Sequence, residues 1–217
     1  MTKKPETVNE KDLIKRKDGL YYKKYARVPF TGTSKSFFLW GGNGQTIYKD
    51  GDIESWKYYY ENGQLSERIN DDIWEFYYEN GQLLERVNQK NGITDGLWER
   101  FYKNGQLEYK YYYENGQREG LREYFYENGQ LKSRENWKND LPNGLWDYYY
   151  ENGQLEKKIN YKNASWNGLF ESFHKNGQLE FRGNYKNDEE DGLWEFFDEE
   201  GNLTKSETWE KRELIEE

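Results

Sequence analysis

Gly96-Leu97-Trp98-Glu99-Arg100-Phe101-Tyr102-Lys103-Asn104-Gly105-Gln106-Leu107 is the stretch that decides the fold, because variants of it recur from about residue 37 to the C-terminus. Gly81, Gly105, Gly129, Gly153, Gly177 and Gly201 follow one another at intervals of 24 residues, and so do Gly96, Gly120, Gly144, Gly168 and Gly192. Self-similarity at a fixed period of this size marks one supersecondary unit stacked on copies of itself. The chain is a repeat array.

Asn-Gly between two aromatic-rich runs is a hairpin signal, and it reads as a two-residue type I′ turn with both central residues at positive φ. Counting outward, Lys103 opposes Gln106, Tyr102 meets Leu107, Glu99 meets Lys110 and Trp98 meets Tyr111. In the copy at Gly153 the same count pairs Asp147 with Lys158 and Trp146 with Ile159. Side chains alternate faces along a strand. One face should therefore carry Trp98, Tyr102 and Leu107, and the other Leu97, Phe101 and the Glu99/Lys110 pair. Stacking turns such positions into rows, such as Trp56, Trp74, Trp98, Trp146 and Trp194. No amphipathic helix is left to cover either face. The expected fold class is all-β, an elongated single-layer antiparallel β-meander of repeated hairpins, with about 15 strands over ~70 Å at roughly 4.8 Å per strand.

Residues 1–12 are polar and aperiodic and read as a flexible tail; residues 13–40 read as a capping hairpin around Asp18-Gly19 with a lead-in through Pro29-Phe30-Thr31-Gly32. Residues 41–209 form the array, with a degenerate first copy over Phe37 to Gln45, and the charged residues 210–217 form a C-terminal cap; Trp209 to Glu217 reads as a final strand followed by a short capping helix. Gly63 and Gly81 are only 18 residues apart, so the connection through Asn70-Asp71-Asp72 is six residues shorter than later ones.

A chain of 217 residues with 34% hydrophobic content would suggest disorder, but aromatics make up 19% and include 21 tyrosines. Tyr and Trp supply contact area while keeping a polar edge, which suits a sheet whose faces stay partly wet. The absence of Cys excludes disulfides, thiolate metal sites and a cysteine nucleophile. No apolar run approaches the roughly 18 residues of a membrane span, and Met1-Thr2-Lys3-Lys4-Pro5 is not followed by an apolar signal region. A cytoplasmic location is expected, with export or lipid anchoring as the alternative if a leader has been removed. Residues 1–28 hold nine Lys/Arg against four Asp/Glu, so of the net −9 they carry +5 and the remainder carries −14. That balance argues against nucleic-acid and anionic-membrane binding and suits a basic protein partner.

The single histidine, His174, sits in a slot that other copies fill with Tyr, so it reads as a structural replacement. No Ser/His/Asp arrangement, metal-ligand cluster or phosphate loop is present; catalysis, cofactor and metal are not expected. The candidate partner contacts are Trp74, Trp98, Trp146 and Trp194 from the tryptophan row, and Arg122 and His174 where copies differ. The acidic connection Asp188-Glu189-Glu190-Asp191 completes the set, as an attractor for a basic surface.

The unit Gly-Leu-Trp-x-x-Tyr-Tyr-x-Asn-Gly-Gln-Leu, with Tyr-Lys-Asn in the connection, resembles the bacterial variant of the MORN repeat found in YwqK-family antitoxin or immunity proteins. The resemblance covers about residues 13–209. Departures are Arg122 and Phe170 at the tryptophan position, His174 and Asp198 at a tyrosine position, and Gly183 where other copies have Ile159 or Val87. The resemblance implies a non-catalytic protein-binding module, an antitoxin or immunity protein that occludes a basic toxin. The alternative is a structural or self-associating scaffold, and membrane-surface association is a weaker third reading.

Overall fold

In the computed structural model, which describes residues 6–37, 43–210 and 213–216, the Asn-Gly turn is a three-residue loop and not the type I′ turn expected of it. At Gly153, the Tyr150 N–H donates to the Gln154 carbonyl and the Gly153 N–H donates to the Tyr150 carbonyl, both at 2.8 Å. Gly153 takes the left-handed conformation (φ 86°) and Asn152 does not. Asn152 stays right-handed because its Oδ1 accepts the Gln154 N–H at 2.9 Å, a local side-chain turn that competes with the type I′ geometry. The same backbone bonds close the turns at Gly63, Gly81, Gly129, Gly177 and Gly201.

The extra loop residue shifts the pairing next to the turn, so that Tyr149 opposes Leu155. A β-bulge at Glu156 then restores the register, and Tyr148–Lys157, Asp147–Lys158 and Trp146–Ile159 pair as counted. Opposed residues share a face. The hairpin leucines therefore lie on the face of the Phe/Tyr row, as in Tyr59–Leu65, Tyr77–Leu83, Phe125–Leu131 and Phe173–Leu179, and not on the tryptophan face. The type I′ turns are at the other end of the repeat. Asn91-Gly92, Asn115-Gly116, Asn139-Asp140, Asn163-Ala164 and Asn187-Asp188 all have positive φ at both positions.

The chain forms two units, Met1–Gly96 with Lys103–Gly105, and Leu97–Tyr102 with Gln106–Glu217. In the first lie β1 (Glu6–Asn9), a 3-10 turn (Glu10–Asp12), β2 (Leu13–Lys15), β3 (Tyr21–Lys23), β4 (Gly32–Phe37) and β5 (Asn43–Lys49). They are followed by β6 (Asp52–Tyr59), β7 (Leu65–Ile69), β8 (Ile73–Tyr77) and β9 (Leu83–Lys90). The ladder from β4 to β9 is antiparallel, and β1 joins it parallel to β4. The expected flexible tail is thus corrected over residues 6–12. Gly32, with no side chain, lets the Glu6 carbonyl approach, and Lys23 holds Glu6 in an ion pair at 2.8 Å. The hairpin β2–β3 packs on the end of the ladder, where Tyr22, Phe30 and Tyr48 are buried. Gly51 is required at that junction, since a Cβ would stand 2.8 Å from the Pro29 Cβ. The degenerate first copy lies partly outside the described residues, at 38–42.

β10 (Ile93–Phe101) spans the division between the units. The second unit continues with β11 (Leu107–Glu114), β12 (Gln117–Arg118), β13 (Gly120–Phe125), β14 (Leu131–Lys138), β15 (Leu141–Pro142) and β16 (Gly144–Tyr149). β17 (Leu155–Lys162), β18 (Ser165–Phe173), β19 (Leu179–Lys186), β20 (Glu189–Phe197), β21 (Leu203–Glu210) and β22 (Glu213–Glu216) complete it. From β11 onward it is an antiparallel meander in chain order. The final strand expected at the C-terminus is present, and in place of the capping helix expected after it there is a further strand: β22 pairs with the open edge of β21, Trp209 opposite Leu214.

Candidate interaction surfaces

One face of the second unit is an aromatic lane. Trp146, Ile159, Phe170 and Trp194 are buried, with Trp137, Tyr161, Trp166, Phe181, Tyr185 and Trp209 packed around them. A single sheet buries such rings by laying each across its neighbour: Trp146 lies 4.5 Å from Tyr161 and 5.2 Å from Trp137, centroid to centroid. Trp146 is 8% and Trp194 5% exposed, so these two candidates pack the sheet and present no ring to a partner. Burial raises the Tyr111 and Tyr148 phenols well above their ordinary range and takes Tyr185 to about 12.

The irregular copies are explained on the same face. The Trp194 indole occupies the space above Gly183, where any Cβ would overlap it. Phe170 replaces the tryptophan of its copy and stacks on Phe181 at 5.5 Å, with the Trp166 ring tilted against it at 5.6 Å. Arg122 pairs across the strands with Glu135, where the Trp146 copy has Ile159. Its guanidinium stands 4.5 Å from the Tyr124 ring and 4.9 Å from Tyr111, so a cation–π contact takes the place of ring packing. Trp98 also packs within the lane, 5.4 Å from Tyr111. Trp74, in the first unit, is the most exposed of the four tryptophan candidates at 39%.

The opposite face carries a feature that sequence reading missed in its full extent. Lys110, Glu123, Arg134, Asp147, Lys158, Glu171, Arg182 and Glu195 oppose one another strand by strand, an unbroken alternation of charge. Glu123 is held by Lys110 at 2.8 Å and by Arg134 at 3.0 Å, and Arg182 holds Glu195 at 2.6 Å. Burial opposes ionisation of Glu123, but the two cations outweigh it and its carboxyl stays below the usual range. Beside this ladder runs a row of exposed leucines, Leu121, Leu145, Leu169 and Leu193, between 38% and 53% exposed. They alternate with Asn136, Asn160 and Asn184, and the Asn136 and Asn160 amides donate to the Leu145 and Leu169 carbonyls.

The hairpin tips clasp their successors. Tyr126 and Tyr150 hydroxyls donate to the Tyr149 and Phe173 carbonyls of the next hairpin at 2.8 Å, and Asn152 donates to the Lys175 carbonyl at 3.0 Å. His174 Nε2 meets the Phe197 carbonyl at 3.0 Å, which requires the proton on Nε2, and so takes over the tyrosine's role. Asp198, in the last copy, instead accepts from Asn202 of its own turn. The acidic segment is not a loop. Asp188 occupies a type I′ turn and accepts the Trp166 N–H at 2.7 Å, while Glu189, Glu190 and Asp191 lie within β20, opposite Lys186, Tyr185 and Asn184.

What this geometry defines is an all-β repeat protein of clasped antiparallel hairpins. The MORN repeat variant matches seven segments, residues 55–70, 73–91, 94–115, 118–139, 142–163, 166–187 and 190–211, and the chain belongs to that family. No curated protein matches it. Among solved structures it is similar to the crystal structure of TcdB2-TccC3, at 12% identity and a TM-score of 0.23, covering 84% of this chain and 14% of that one. The TcdB2-TccC3-Cdc42 crystal structure is also similar, at 12% identity and a TM-score of 0.21, covering 81% and 13%. The chain thus spans a small part of the length of these structures. Among the described residues no helix is long and apolar enough to cross a membrane, and no cluster of three or more His, Cys, Asp or Glu is arranged to hold a metal ion.

Proposed function

We propose that this chain is a non-catalytic protein-binding module that occludes a basic protein partner, in the manner of an antitoxin or immunity protein. The observation that supports this most is the row Leu121, Leu145, Leu169 and Leu193, exposed leucines that alternate with asparagines beside a charge ladder. Exposed apolar side chains gathered on one face and set among polar groups are features of interaction sites. The −14 carried beyond residue 28 selects for a basic partner. The test is co-expression with basic toxins encoded beside the chain. Relief of toxicity together with a stable complex is expected, and absence of both would sink the reading.

A second reading, self-association as a scaffold, is favoured by Leu214 and Ile215, 44% and 58% exposed on β22. Light scattering separates the two: a monomer at every concentration tested removes the scaffold.

A further inference from the structure

The first unit holds a groove of about 840 Å³ near the hairpin tips, lined by Tyr58, Glu67 and Phe76 from the tryptophan face and also by Tyr59 and Tyr77 of the opposite row. Tyr58, Glu67 and Phe76 oppose one another across β6, β7 and β8, each two residues from Trp56, Ile69 or Trp74 of the same face. Tyr60 and Glu61 reach in from the Gly63 turn and Glu79 from the Gly81 turn. The Tyr60 ring is fixed by its hydroxyl, which donates to the Tyr77 carbonyl at 2.6 Å.

Strand alternation separates the charges of this unit. Lys57, Arg68, Glu75 and Arg86 form a cross-strand row on the other face, where Glu75 is held by Arg86 at 3.0 Å and Arg68 at 3.7 Å. Among the described residues no lysine or arginine lines the groove, and Glu61, Glu67 and Glu79 have no ion-pair partner. Burial first, and then the charges of Glu79 and Glu67, raise the Tyr60 phenol, as expected of two carboxylates lying on the same groove. Aromatic faces beside unpaired carboxylates match a cation with a flat, weakly hydrated head.

We propose that this groove is a docking site for an arginine-bearing extended segment of a protein, its guanidinium laid on Tyr58, Tyr60 or Phe76 and paired with Glu67 and Glu79. The proposal rests on the reading of a basic partner and says where on the first unit that partner is gripped. It assigns a role to the hairpin tips that the clasp between repeats does not use.

The test uses the full chain and a fluorescein-labelled peptide of alternating glycine and arginine, with a peptide carrying citrulline in place of arginine as its neutral isostere. Fluorescence anisotropy at low salt should show the citrulline peptide binding at least about tenfold more weakly, since a charge-assisted pair is lost. Glu67→Gln with Glu79→Gln should weaken the arginine peptide by a similar factor, whereas Glu171→Gln on the second unit should leave it unchanged. Glu61→Gln, on an exposed turn and harmless to folding, should weaken it severalfold and guards against a folding artefact in the double variant. Equal binding of the two peptides, or full binding by the groove variants, overturns the assignment. Co-expression relief tests the function separately: its failure with arginine-selective peptide binding intact removes the antitoxin reading and leaves the groove.

Discussion

Gly183 and Ala164 show how single positions record the geometry of the array. Gly183 is small because Trp194 needs the space above it, so Gly183→Ile, which copies the Ile159 position, is expected to cost about 1–3 kcal/mol by overpacking. Urea denaturation measures this, and an unchanged midpoint would show that the indole can move aside. Ala164 is the reverse case. It stands at φ 69° in a type I′ turn, where glycine carries no Cβ penalty. Ala164→Gly should therefore stabilise the protein by about 0.5–1 kcal/mol in the same measurement. Glu123 adds a pH-dependent case: its folded pKa is depressed, so its contribution is present above the unfolded carboxylate pKa and fades as pH falls through the folded one. Glu123→Gln should cost about 1 kcal/mol at pH 7, its partners Lys110 and Arg134 being 40% and 46% exposed, and almost nothing at pH 2–3. A penalty that persists undiminished in acid would mean that shape, and not charge, is what Gln fails to supply.

Hairpins, the next scale, are held by their tips as well as by their ladders. Tyr150→Phe removes one donor to the Phe173 carbonyl and should cost about 1 kcal/mol, with faster amide exchange concentrated in the adjoining hairpin. Uniform exchange throughout the unit would argue against a local clasp. The period of 24 was legible because glycine marks both the entry and the turn of five successive hairpins, from Gly96 and Gly105 to Gly192 and Gly201, and the pairs Asp147–Lys158 and Trp146–Ile159 were legible because the Glu156 bulge cancels the longer loop. The turn type was not legible. Asn-Gly suits either loop, and what decides between them is local use of the Asn152 Oδ1, with its amide reaching a carbonyl of the next hairpin. The continuous charge ladder needed the register across the connections too, as in Arg134–Asp147 and Lys158–Glu171. The groove depends on the side to which the bulged residues Ser66 and Leu84 are turned, which no sequence period specifies.

At the scale of the whole molecule the ladder has a consequence for binding. Its cations and anions alternate and largely cancel, so the −14 beyond residue 28 comes from turns, strand ends and the other face. Charges at such exposed places act at a distance, steering a basic partner before contact, and are screened by salt. Leucines act only at contact, by excluding water. The two contributions should therefore separate kinetically. Raising ionic strength from about 50 to 300 mM should slow association severalfold and leave dissociation nearly unchanged. Leu145→Gln with Leu169→Gln removes two apolar contacts at 38% and 41% exposed positions without changing the charge, with little loss of stability, and should instead accelerate dissociation by at least about tenfold. Surface-immobilised partner and a salt series measure both rates. If the leucine variant dissociates like the parent while salt still controls association, the partner lies elsewhere on the acidic surface and the leucine row is not its site.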